Sequence, residues 1–107
     1  MNIKANDFMA TVSKNGDEAA ILLQGEINSL ADEEMTGAYE DAVAGSPARV
    51  VLDFNKVDYI NSTGIALIVG LLAKARMANI HLTAVGLSDH YREIFTITRL
   101  SDFIDIQ

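Results

Sequence analysis

Arg49-Val50-Val51-Leu52-Asp53-Phe54, then Asp58-Tyr59-Ile60-Asn61-Ser62-Thr63-Gly64, then Ile65-Ala66-Leu67-Ile68-Val69-Gly70-Leu71-Leu72-Ala73 together decide the fold. The first run is apolar and β-branched, the character of a central strand buried on both faces. The last run is apolar on every side, whereas a helix at a protein surface shows a polar stripe. A central strand, a short polar connection and a helix in that order form half of a βαβ unit. They therefore imply a parallel sheet at this point.

Upstream, residues 8–13 read as a strand, Asn15-Gly16 as a hairpin turn and residues 19–24 as a second strand. Gly25-Glu26-Ile27-Asn28 then leads into a first helix. Ser29 and Asp32 have capping-box spacing, with Asp in place of the usual Glu or Gln. Asp32, Glu33 and Glu34 occupy the first turn, where the helix dipole favours carboxylates. Ala31, Met35, Ala38, Tyr39, Ala42 and Val43 recur along one helical face, and Gly45 and Pro47 stop the helix.

Downstream, the apolar helix is expected over residues 65–78, with Ile65, Ile68, Val69 and Leu72 toward the sheet. Residues 80–85 read as a strand, and Ser88 or Asp89 caps a third helix with Ile94, Phe95 and Thr98 inward. Phe103, Ile104 and Ile106 close the chain as a short edge strand. The order β-β-α-β-α-β-α predicts one α/β domain over residues 1–107. Its mixed sheet has about 4–5 strands, with right-handed crossovers in the parallel part.

Composition narrows the function. The chain has no cysteine, which excludes disulfides, thiolate metal sites and a cysteine nucleophile. The net charge is −7 and no cluster of Lys or Arg is present, so nucleic-acid binding by counterion release has no basic face to use. Residues 1–7 lack the apolar run of a signal peptide. Residues 65–73 are about half as long as a membrane span requires. The expectation is a soluble cytoplasmic protein without membrane insertion. Nothing in the sequence specifies an oligomeric state.

No enzyme motif is present: there is no G-x-x-x-x-G-K-[ST], no G-x-G-x-x-G and no G-x-S-x-G. His81 and His90 fall in different elements and read as ordinary histidines. Asp32-Glu33-Glu34 reads as a helix-start device rather than a metal site. The expectation is a protein-binding domain without catalytic residues, metal or cofactor.

Ile60-Asn61-Ser62-Thr63-Gly64 is the remaining candidate site, at the carboxyl end of a parallel strand where open α/β sheets bind ligands. Ser62 and Thr63 have two readings: helix caps, or hydroxyls open to modification. Leu67 and Leu71, one and two turns beyond Thr63, also have two. Either they pack under a neighbouring helix, or they form an exposed apolar docking surface.

Val51-Leu52-Asp53-Phe54, Val57 to Ile65, residues 73–78, Gly25-Glu26-Ile27-Asn28 and the tail from Ile94 through Phe103 resemble the STAS domain (sulfate transporter and anti-sigma factor antagonist). The likeness runs from about Phe8 onward and is greatest to the free-standing bacterial anti-sigma factor antagonists. It implies a STAS-like fold and a partner that is both anti-sigma factor and serine/threonine kinase. The kinase phosphorylates the hydroxyl just before the motif glycine, which is Thr63 here, with Ser62 as the alternative. A phosphatase resets the switch.

By the same resemblance Glu26, Asn28, Asn61, Ser62 and Gly64 form the partner-binding surface, which Leu67 and Leu71 extend on the docking reading of the helix. Gly64, without a side chain, would let a kinase approach the backbone closely. The sequence departs from the family's pattern at Asn61 and Asn28, each in place of an acidic residue. Both replacements remove a carboxylate near the acceptor, while Asn keeps the helix-capping ability of Asp. An alternative role for a small STAS protein is as a subunit of an ABC-type lipid transport system, docking on its ATPase through the same helix.

Overall fold

A computed structural model describes residues 7–107, so the reading made for the chain's first residues lies outside the described ones except at Asp7. The elements are β1 (Met9–Asn15), β2 (Glu18–Ile27), α1 (Asp32–Val43), β3 (Arg49–Ile60), α2 (Ser62–Met77), β4 (His81–Val85), α3 (Asp89–Ile97) and β5 (Asp105–Ile106). Single 3-10 turns, Ser29–Ala31 and Leu100–Asp102, precede α1 and follow α3. The sheet order is β1-β2-β3-β4-β5, with β1 antiparallel to β2 and the other pairs parallel.

Strands laid down in sequence order have a consequence. Each right-handed crossover advances the sheet in the same direction, so successive helices land on one face. Burial follows that geometry. Ile21, Leu52 and Ala84 stand side by side across β2, β3 and β4 and are fully buried. Their neighbours Leu22, Asp53 and Val85, pointing the other way, are only half-buried. The result is a slab of 35 × 35 × 19 Å, one sheet thick and one helix thick. No helix among the described residues is long and apolar enough to cross a membrane.

Several local expectations are corrected. β3 does not end at Phe54 but runs to Ile60. Asn55 and Lys56, polar and exposed, resemble a turn but belong to an irregular stretch of pairing with β2. Register shifts fall between Leu22 and Gln24 and between Gly25 and Glu26, where β3 carries the extra residues. Gly25 takes φ 89° beside the second shift, a conformation that favours glycine.

Ser29 is not the cap. The Asn28 side chain accepts from the Leu30 N–H at 2.9 Å and so caps the 3-10 turn, while α1 follows from Ala31 without a side-chain cap. At α3 the cap is Ser88; Tyr91 and Phe95 are buried, and Ile94 packs half-buried against the core as expected. Thr98 lies past the helix and is exposed, its hydroxyl donating to the Ile94 carbonyl. Phe103 is outside β5 and half-exposed, under the Arg76 guanidinium.

The largest correction concerns α2. Ile68 and Leu72 face the sheet as expected, but Val69 is 42% exposed and Leu71 is 4% exposed. Leu67 is half-buried. The surplus apolar surface of α2 is turned toward α1, where Leu67 and Leu71 line a crevice with Met35 and Thr36. The neighbouring-helix reading therefore holds for Leu71, which is not available as a docking side chain.

Candidate functional site

β2 and β3 end side by side, Glu26 opposite Tyr59 and Ile27 opposite Ile60. The pairing continues one step further, because the Asn61 N–H donates to the Ile27 carbonyl at 3.1 Å. Parallel strands thus bring Glu26 and Asn28 beside the start of α2. Asn28 holds this corner together. Its Oδ1 caps the turn at Leu30, and its Nδ2 donates to the Glu26 carboxylate in a short hydrogen bond.

The start of α2 is capped by Asn61, not by either hydroxyl residue. Asn61 has extended backbone (φ −89°, ψ −178°), and its Oδ1 accepts from the Gly64 N–H at 2.8 Å. Ser62 and Thr63 fill the first two helical positions, and both are exposed. Neither hydroxyl makes a hydrogen bond among the described residues, so the fold makes no use of them. The cap reading of Ser62 and Thr63 is thereby overturned.

Gly64 is buried, and its missing side chain faces inward. A Cβ there would lie 2.8 Å from the Ile27 carbonyl carbon and 3.0 Å from its Cγ2. Gly64 therefore lets α2 rest directly on the end of β2. It does not open the backbone to a kinase, and that expectation is corrected.

Beyond Asp53, β3 has no β4 partner, and Ile60 would be left with an unpaired N–H and carbonyl on that side. Tyr91 from α3 supplies both. Its hydroxyl accepts from the Ile60 N–H at 2.8 Å and lies 3.3 Å from the Ile60 carbonyl oxygen, to which it donates. Tyr91 was not identified as a site-positioning residue because its partner lies in another element. Tyr91→Phe is expected to cost about 1–3 kcal/mol, since a buried amide loses its acceptor. Thermal unfolding and faster hydrogen exchange at the Ile60 amide would measure it; unchanged exchange would count against the role.

Two exposed apolar residues near the motif were also missed. Leu30, in the turn that packs against α2, is 88% exposed, and Tyr59 is 53% exposed. Their signal lay in position rather than periodicity, because neither belongs to an amphipathic pattern. The ion pairs Lys14–Asp41, Arg49–Glu18 and Arg99–Asp102 and the His81–Asp105 contact all lie elsewhere. Among the described residues no cluster of His, Asp or Glu could hold a metal. The site is thus a half-apolar surface with two free hydroxyls at a helix start.

A family model described as "Mlab, STAS domain" matches residues 10–105. An anti-sigma-B factor antagonist of Listeria monocytogenes is 31% identical over 94 residues, which span 88% of this chain and 82% of the relative. An anti-sigma factor antagonist from Mycobacterium paratuberculosis has a similar structure, with TM-score 0.79 at 18% identity over 96% of this chain and 87% of that one. The Bacillus cell fate determinant SpoIIAA, solved in the phosphorylated form, gives TM-score 0.71 at 18% identity over 94% of this chain and 91% of its own. At such identities the two structures attest the fold, and the sequence matches carry the kinship. The chain belongs to the STAS-domain family, among the anti-sigma factor antagonists.

Proposed function

We propose that the unmodified chain docks the start of α2 on an anti-sigma factor serine/threonine kinase and frees the sigma factor. Phosphorylation of Thr63 then ends the interaction, and a phosphatase restores it. The observation that carries this reading is the division of labour at residues 61–64. Asn61 caps the helix, so the Ser62 and Thr63 hydroxyls stay exposed and uncommitted. Thr63 is preferred over Ser62 because it directly precedes Gly64.

The test is incubation with ATP and an anti-sigma kinase encoded nearby, followed by intact mass and site mapping. The expected product carries one phosphate on Thr63, absent in Thr63→Ala and retained in Ser62→Ala. Phosphate on Ser62 would move the acceptor by one residue, and no phosphate at all would refute the switch.

Contacts around the hydroxyls separate by burial. Leu67→Asp and Leu30→Asp should fold and bind the partner less tightly, with Glu26, Asn28 and Asn61 lining the same surface. Leu71→Asp should instead lose about 3–5 kcal/mol of stability, because it places an unpaired charge in the core. Circular dichroism melts beside pull-down affinities distinguish the two classes. A fully stable Leu71→Asp would show that α2 sits differently.

One observation favours a second reading, docking on the ATPase of an ABC-type lipid transporter. Both positions at which the resemblance calls for a carboxylate are Asn28 and Asn61 here. An unmodified Thr63 together with stable capture of such an ATPase would replace the first reading with the second.

A further inference from the structure

β1 is an edge strand, and its outer side carries the main-chain groups that β2 leaves unpaired. The Ala10 N–H points away from β2 and donates to the Glu34 carboxylate at 3.4 Å. By the alternation of an antiparallel pair, Val12 and Lys14 turn their N–H and carbonyl groups the same way. Those of Val12 have no partner among the described residues. The side chains of Ala10, Val12 and Lys14 lie on the helix side, opposite the buried Leu23, Ile21 and Ala19. There α1 leaves an open groove of about 400 Å3, floored by Ala10 and Val12 and walled by Glu34, Gly37 and Asp41. Gly37 is exposed in mid-helix, and a Cβ there would meet nothing within 4 Å. A glycine at such a position weakens the helix, and packing within the chain does not call for it.

We propose that two copies of this chain pair through β1, antiparallel about a two-fold axis at Val12, and so join their five-stranded sheets into one. In that register Val12 faces its own counterpart, and Ala10 faces Lys14 of the second copy. The outward N–H and carbonyl groups of all three residues then find partners. Charge favours a second copy as the occupant. Lys14 already lies 3.8 Å from Asp41 of its own α1. Pairing brings its ammonium beside Glu34 of the other copy, which yields the Ala10 N–H to the incoming strand. Each lysine thus bridges one carboxylate from each copy. A lysine on a free edge usually deters pairing, and here the opposing carboxylate removes that penalty. Glu34 stands beside Ala10 and Asp41 beside Lys14, so Gly37 falls level with Val12. The two α1 helices therefore meet at the axis through their glycines, where missing side chains permit close approach.

Sedimentation equilibrium of the full chain tests the pairing. The mass should rise from that of one chain toward that of two between about 1 μM and about 1 mM, the range of a small interface. Lys14→Glu and Glu34→Lys should each weaken self-association by about tenfold or more, because like charges then face each other. Mixed in equal amounts the two variants should form a heterodimer, since each altered side chain meets an opposite charge on the other copy. Val12→Pro should stay folded, as circular dichroism would show, because the N–H it removes takes no part in pairing with β2. It should nevertheless abolish association. A native chain that stays monomeric throughout would overturn the inference, even if a poly-lysine peptide bound the β1 groove. Dimers that survive Val12→Pro, or that ignore both charge reversals, would overturn it as well.

Discussion

Phosphorylation of Thr63 is expected to weaken partner binding about a hundredfold, and Thr63→Glu to reproduce part of that loss. The hydroxyl sits on an exposed surface that also carries Leu30 and Tyr59. In a complex, a group at that position is desolvated. A phosphate brings about −1.5 to −2 charges to it, and burying an unpaired charge costs several kcal/mol. A penalty of about 3 kcal/mol corresponds to the hundredfold change. Glutamate carries a single charge on a differently shaped group, so its effect should be smaller.

The fold itself should not report the modification as a loss, because the phosphate sits at a helix N-terminus that accepts anions. The reading is therefore external. Titration calorimetry with the unmodified, phosphorylated and Thr63→Glu proteins measures the series in the order given. Affinity unchanged by phosphate would mean that the partner does not contact the start of α2.

Gly64→Ala should be among the most damaging single changes in the chain, at about 3 kcal/mol or a Tm lower by more than 10 °C. The added methyl would collide with backbone rather than with a movable side chain. The Ile27 carbonyl cannot retreat freely, because it accepts the Asn61 N–H that closes the β2–β3 pairing. Relief would come from lifting the first turn of α2 away from β2, which breaks the cap and moves both hydroxyls. Partner binding should consequently fall even at temperatures where Gly64→Ala remains folded. Differential scanning calorimetry and a binding assay at low temperature test the two parts separately. A variant as stable as the native chain would show that α2 does not rest on Ile27.

The order of elements, the α/β class and the motif at residues 60–64 were legible in the sequence. These depend on local signals: β-branched runs, helical periodicity in α1, and turn residues such as Asn15-Gly16 and Gly45. The sequence also placed Glu26 and Asn28 near Thr63, because parallel strands must end on the same side.

Which residues the site could use depended on contacts between elements distant in sequence. Three candidates compete to cap α2, and Asn61 takes the role because Ile27 accepts its N–H and so holds it in extended backbone. That contact, with Gly64 pressed on the same carbonyl, helps set the rotation of α2. The rotation in turn buries Leu71 against α1 and leaves Val69 outside. An all-apolar helix such as Ile65 to Ala73 has no polar stripe from which its inward face can be read. Its orientation is an outcome of contacts with β2 and α1, far away in sequence. For the same reason β3 could not be followed past Phe54: its last residues are held by β2 on one side and by the Tyr91 hydroxyl on the other.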